Sequence, residues 1–326
     1  MNLSPALSEP ACCQGFPAVR IEREQGGLWV TMAYAPDQRE RVRVLYRLEG
    51  PADAPVLAIA GGISADRRID QWWADHYGTG RAFDPSRYRL LSIDWLGHRW
   101  PDGSIVSTHQ QAQALCAVMD HLQIGQLACY VGASYGAMVG LALAEAYPNR
   151  LEQLIAISGA HRAHPAATAL RLIQRDIIRL GLAANDEASG LRLARALALT
   201  SYRPASLFGQ RFDAPSPQGV CDRLTRYFDH QARRLTGRFN AERYLSLSES
   251  LDQHCIDPRA IHCPLTLVAV ASDELVPLSQ LTTLAERAPR ASLEVIESDY
   301  GHDAFLKEVD TFSGLFDQAL HQGAYA

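Results

Sequence analysis

The chain has 326 residues, 47% hydrophobic and 21% charged, a globular composition long enough to bury a core without disulfides or a structural metal. A net charge of −5 offers no basic footprint for nucleic acid, and no apolar run approaches the roughly 18 residues of a membrane span. Seven cysteines, an odd number without a C-x-x-C pair, suggest neither a disulfide frame nor a zinc site and fit a reducing cytoplasm.

Residues 1–25 lack a basic start and a sustained apolar stretch, so they read as a flexible tail and not as a signal peptide. Strand-like runs follow at LWVTMAY (28–34) and RVRVLYRL (41–48), joined by polar PDQRE. VLAIAGG (56–62) and RYRLLSIDWLG (87–97) are nearly continuous apolar runs, as strands buried on both faces require. HQQAQALCAVMDHLQIG (109–125) places Ala112, Leu115, Met119 and Leu122 on one helical face, with Gly125 as its terminator. A short strand LACYV (127–131) leads through GASYG into a helix over 137–148, stopped by Pro148, and then into the strand LEQLIAISG (151–159). This alternation predicts an α/β fold: a mostly parallel sheet with helices on both faces. Residues 160–257 show helical periodicity and no convincing strand, and PLTLVAVASD (264–273) and SLEVIES (292–298) return to the sheet. The expected layout is one catalytic domain: a core of 26–159 and 258–326, with 160–257 inserted as a helical cap over the strands' carboxyl ends, where ligands of such sheets bind.

Gly132-Ala133-Ser134-Tyr135-Gly136 matches G-x-S-x-G. The pattern alone is weak, but here it follows an apolar strand and opens a helix, the context of a nucleophile on a sharp, strained turn. A structural turn with a solvent-facing serine is the plainer alternative. A serine hydroxyl needs a base, and the base needs an orienting acid. In this fold the order is Ser, Asp or Glu, then His. Asp273 closes a strand and His302 follows the next one, so Ser134, Asp273 and His302 form the candidate triad. The plainer readings are a helix cap for Asp273 and a surface loop for His302. Asp94 also ends a strand but precedes Ser134, and reads as structural; His161 and His164 have two readings, facing the active site or packing in a loop or the cap, the second the plainer. The oxyanion donors are expected at the amide of Tyr135 and at Gly62, with Ile63 within register error.

Four segments carry a resemblance to a known family: VGASYGAMVGLALAEAYPNRL, GLRLARALALTSYR (190–203), VASDELVPLSQ (270–280) and YGHDAFL (300–306). Together they resemble the homoserine O-acyltransferases of the α/β-hydrolase superfamily, from about 55 to 308. That resemblance implies the α/β-hydrolase fold and a methionine-biosynthesis activity. In it Ser134 is acylated by acyl-CoA and the acyl group passes to the hydroxyl of L-homoserine. It further implies that Arg195 holds the amino acid's carboxylate, that Asp303 holds its ammonium group, and that the enzyme is a homodimer. Acyl-CoA is a co-substrate, and no metal or tightly bound cofactor is implied. Arg67 and Arg68, just past the expected oxyanion loop, are candidates for the CoA phosphates or a succinyl carboxylate, or else a solvated pair. The chain departs from the family at Tyr135, usually Met, and at Ala137, usually Gly, changes expected to border the acyl pocket. Succinyl-CoA is favoured as donor because of the arginines, with acetyl-CoA close behind. Two other readings use the same triad: a serine O-acyltransferase, and a serine hydrolase acting as esterase or thioesterase.

Overall fold

The computed structural model describes residues 22–235 and 239–323. Eight strands are built from the runs above: β1 (Glu22–Ala35), β2 (Gln38–Gly50), β3 (Val56–Ala60), β4 (Arg89–Ile93), β5 (Cys129–Ala133), β6 (Leu154–Ile157), β7 (Leu265–Val270) and β8 (Ala291–Ile296). They form one sheet in the order β1-β2-β4-β3-β5-β6-β7-β8. β1 and β2 are an antiparallel hairpin, β2 meets β4 antiparallel, and every later pairing is parallel.

The central strands are apolar at every position because both faces are covered, yet their period of two still sorts the side chains. Leu57 and Ile59 of β3, Val131 of β5 and Ile155 and Ile157 of β6 enter one core with Trp73, Phe83, Phe312 and Phe316. Ala58, Ala60, Tyr130, Leu154 and Ala156 enter the other. The first core is closed by α1 (Ile69–Trp72) and α10 (Val309–Gly323), the second by α2 (Thr108–His121), α3 (Tyr135–Ala146) and α9 (Leu278–Arg287).

Some boundaries differ from the sequence reading. Residues 1–21 of the expected tail lie outside the described residues. Residues 22–25 are not tail but the start of β1: they pair with Arg47–Gly50, and Arg23 bonds Glu49 at 2.6 Å. Their polarity hid the strand, because an edge hairpin tolerates exposed polar side chains. α2 ends before Gly125. Gln123 takes the left-handed conformation instead (φ 58°), and the Ile124 amide reaches back to the Met119 carbonyl at 2.8 Å, closing the helix end. β5 runs to Ala133 and α3 starts at Tyr135, so no spacer separates Ser134 from either element.

Between β6 and β7 come α4 (Pro165–Ala183), α5 (Glu187–Tyr202), α6 (Ala205–Phe212), α7 (Pro217–Leu235) and α8 (Ala241–Asp252). α4 and α5 cross closely: a Cβ on Gly190 would come 3.2 Å from the Gly181 Cα. α8 is tied to α4 through Arg171 and Arg175, which both bond Asp252.

The strand–helix approach at the elbow depends on two glycines. A Cβ on Gly132 would lie 2.5 Å from the Gly136 carbonyl oxygen, and one on Gly136 would lie 2.6 Å from that of Ala60. Backbone on both sides leaves nothing flexible to yield. Gly136→Ala is expected to lower unfolding free energy by about 1–3 kcal/mol, as for other overpacked interiors. Urea denaturation of the two proteins side by side checks it.

Candidate active site

Ser134 caps α3 with φ 56° and ψ −116°. A non-glycine residue at positive φ is strained and persists only where its surroundings over-determine it. Here the Ser134 amide donates to the Ile157 carbonyl at 2.8 Å, and the Gly136 amide donates to Gly61 at 2.9 Å. Gly159 completes the clearance, since a Cβ there would lie 3.0 Å from the Ser134 carbonyl oxygen.

The Ser134 hydroxyl lies 2.8 Å from His302 Nε2, and His302 Nδ1 lies 2.7 Å from Asp273 Oδ2. A carboxylate only accepts, so Nδ1–H donates to Asp273 and Nε2 is left to accept from the serine. Asp273 Oδ1 is fixed in turn by the amides of Leu275 (2.9 Å) and Val276 (3.0 Å). His302 stands on the short 3-10 helix Gly301–Leu306. Its ring centroid is 5.8 Å from that of Tyr202, and Gly301, at φ +55°, has no room for a Cβ beside the Tyr202 carbonyl. Burial disfavours an imidazolium at His302, but the charge and hydrogen bond of Asp273, helped by Asp303, outweigh burial and the opposing Arg171. The imidazole is therefore held above the ordinary histidine value.

The structure places the other expected residues as follows. The Tyr135 amide is at the first position of α3, where a helix offers no internal acceptor. Gly62 overhangs the elbow, with a Cβ built on it 3.9 Å from the Ser134 Cβ. Gly62, Ile63, Ser134, His302, Arg195 and Asp303 all line one cavity of about 160 Å³. Arg195 sits with its guanidinium carbon 5.4 Å above the Tyr202 ring, and its buried Nε has no protein partner. Asp303 Oδ2 accepts from Arg203 Nε at 2.9 Å, an ion pair not foreseen from the sequence.

Two expectations fail. Arg67 and Arg68 do not reach the cavity. Arg67 bonds Asp94 through its backbone amide (2.9 Å) and its guanidinium (2.5 Å), and Arg68 is paired with Asp66. Each arginine is neutralised by a neighbouring carboxylate, so neither charge is free for a phosphate. The Tyr135 side chain does not border the cavity either: it is buried edge-on to Trp95 (5.2 Å), with its hydroxyl 2.8 Å from Ser250 Oγ. The first position after the nucleophile directs its side chain into the core.

Sequence reasoning missed several cavity residues. Arg162, Arg171 and Ser158 line it; His164 lines it too, the less plain of the two readings its sequence position allows. Ser158 is the more unusual: it follows β6 at φ 47°, is 1% exposed, and its hydroxyl has no protein partner. Its signal was available, as a polar residue at the end of a buried strand next to a glycine.

A family model described as the alpha/beta hydrolase fold matches residues 55–309. The fold and the elbow thus define the class, an α/β-hydrolase-fold enzyme. A homoserine O-succinyltransferase from Xanthomonas campestris pv. campestris is 42% identical, covering 93% of this chain and 84% of that protein. A homoserine O-acetyltransferase from Thermus thermophilus is 29% identical, covering 93% of this chain and 91% of that protein. The crystal structure of a homoserine O-acetyltransferase from Bacillus anthracis superposes with a TM-score of 0.78 at 16% identity, covering 92% of this chain and 97% of that one, a likeness of fold. Within the α/β-hydrolase fold the chain belongs to the homoserine O-acyltransferase family.

If His302 is the base, only its neutral form can take the serine proton. A folded-state value above the ordinary one means that the neutral form is lost early on acidification. The rate of serine acylation is expected to rise with pH through a single ionisation above about 6.5. Stopped-flow acylation across pH checks this; a midpoint at or below the ordinary histidine value would contradict it.

Proposed function

We propose that the protein is a homoserine O-succinyltransferase: it moves a succinyl group from succinyl-CoA to the hydroxyl of L-homoserine through an acyl-enzyme on Ser134. One observation carries the reading. The hydrogen-bonded chain Ser134–His302–Asp273 opens into a cavity that also holds a cation with a buried, unpartnered nitrogen, Arg195. A simple esterase has no need of that cation beside its nucleophile, whereas an amino acid brings a carboxylate to meet it.

In the first half-reaction the Ser134 hydroxyl passes its proton to His302 Nε2 as its oxygen attacks the thioester carbonyl. The oxyanion is met by the amides of Tyr135 and Gly62, and Asp273 stabilises the imidazolium. The carbon–sulfur bond then breaks, and His302 returns the proton to the CoA thiolate. In the second half-reaction His302 takes the proton of the homoserine hydroxyl, whose oxygen attacks the acyl-enzyme. The ester of Ser134 breaks, and the serine oxygen recovers the proton. Arg195 holds the acceptor's carboxylate, and Asp303, kept in place by Arg203 through one oxygen, presents the other to its ammonium. The helices α4–α8 act as the cap that carries Arg195. The succinyl donor is supported by the 42% identical relative, which is named for that reaction.

The working form in this reading is a homodimer in the cytoplasm, where acyl-CoA is made and used. Leu172, Ile173 and Leu180 of α4 and Leu193 of α5 are 46–71% exposed, an apolar face suited to a second copy. The described cysteines are all free, as a reducing compartment allows, and no described helix is long and apolar enough to cross a membrane.

The assay follows CoA release from succinyl-CoA and acetyl-CoA, with and without homoserine or serine, recording product masses. Release that depends on homoserine and gives O-succinylhomoserine is expected. Release without an amino acid would identify a hydrolase, and a serine product would change the acceptor. Ser134→Ala should abolish turnover, and Arg195→Lys should raise the KM for homoserine while sparing acylation. Light scattering should give twice the chain mass, and Ile173→Glu combined with Leu180→Glu should reduce it to one.

A further inference from the structure

The cap holds more positive charge beside the cavity than the chain neutralises. Arg171 and Arg175, one turn apart on α4, share a single carboxylate, Asp252 at the end of α8. Arg171 Nε and Nη2 lie 2.7 and 2.6 Å from Oδ1, and Arg175 Nη1 lies 2.6 Å from Oδ2. Thr168 adds a third donor to Oδ1 at 2.8 Å, so that oxygen is saturated, and Arg175 holds Oδ2. The three side chains are 5–12% exposed. Two guanidiniums against one carboxylate leave one positive charge over. Among the described residues neither arginine makes an ion pair with any carboxylate other than Asp252.

Only one of the two arginines faces the reaction. Arg171 lines the cavity together with Ser134 and His302, and Arg175 does not. The field of Arg171 is felt at His302, where it opposes protonation. An excess charge held this far from water is expensive unless something bound pairs with it. The acceptor does not supply that partner. Homoserine is a zwitterion, and in the reading above its carboxylate takes Arg195 and its ammonium takes Asp303. An acetyl group is neutral and would leave the excess charge standing.

We infer that Arg171 is the specificity-determining residue for the acyl donor: its guanidinium, anchored on Asp252 beside Arg175, pairs with the distal carboxylate of a dicarboxylic acyl group. This rests on the acyl-transfer reading and adds to it the group that selects succinyl over uncharged acyl chains.

The test compares kcat/KM for succinyl-CoA, butyryl-CoA and acetyl-CoA at saturating homoserine, in the wild type, Arg171→Gln and Arg171→Lys. Butyryl has the carbon chain of succinyl without its charge. The wild type should prefer succinyl over butyryl by about 100-fold, the equivalent of one charged hydrogen-bonded pair. Arg171→Gln should lose that preference, its kcat/KM for succinyl-CoA falling far more than that for butyryl-CoA or acetyl-CoA, and Arg171→Lys should recover part of it. The glutamine variant leaves Asp252 bonded to Arg175 and Thr168, so it strands no carboxylate; the wild-type donor comparison stands even if a variant fails to fold. A wild type that does not distinguish succinyl from butyryl, a parallel fall in all donors, or a rise in homoserine KM as the main effect would overturn the assignment while leaving acyl transfer intact. No homoserine-dependent release of CoA from any donor would overturn both.

Discussion

The backbone at Ser134 is the constraint on which the rest of the structure depends. A serine at φ 56° and ψ −116° does not hold itself there. It is held by a strand that ends one residue before it, a helix that begins one residue after it, and an amide bond to the neighbouring strand at Ile157. Gly132, Gly136 and Gly159 contribute by what they lack, since a side chain at each would collide with backbone or with Ala137. The fully apolar central strands provide the stiffness, packed on both faces, that makes such strain sustainable.

The second layer of organisation is electrostatic. Asp273 is fixed by two backbone amides before it meets His302, so the imidazole is oriented and tuned by a partner that cannot turn away. Around this centre the chain separates two kinds of arginine. Arg67 and Arg68 are each matched by an adjacent carboxylate, and Arg203 is matched by Asp303. Arg195 is not matched, and Arg171 with Arg175 is matched only in part. Arg195 and Arg171 both lie on the wall of the cavity that holds Ser134.

The hydrogen-bonded chain Ser134–His302–Asp273 was legible because its order is sequential: the turn at Ser134 has a local signature, and Asp273 and His302 each follow a recognisable strand. The alternating strands and helices were legible for the same reason, since periodicity is a property of neighbouring residues. The β1 extension over residues 22–25 was not, because polar residues on an edge hairpin carry no hydrophobic alternation. The fate of Arg67 was not legible either: its partner Asp94 is 27 positions away, just past the end of β4. Tyr135 shows the limit within the motif itself. The spacing put its backbone amide at the start of α3, but only the direction of the helix sent its side chain toward Ser250 and Trp95.

The amino-acid sequence by itself determined the parallel sheet, the turn that carries Ser134, the chain order of Ser134, Asp273 and His302 and the membership of the family, because each is encoded in local pattern or in short motifs. Tertiary structure alone decided which charges remain available. Arg171, Arg175 and Asp252 are unremarkable in the chain, and Arg195 is one arginine among many. Charge neutralisation is a property of pairs brought together from distant positions: Asp252 lies 81 residues from Arg171, and Asp303 lies 100 from Arg203. Which cation faces the nucleophile without a partner is therefore settled only when the helices between β6 and β7 come to rest against the sheet.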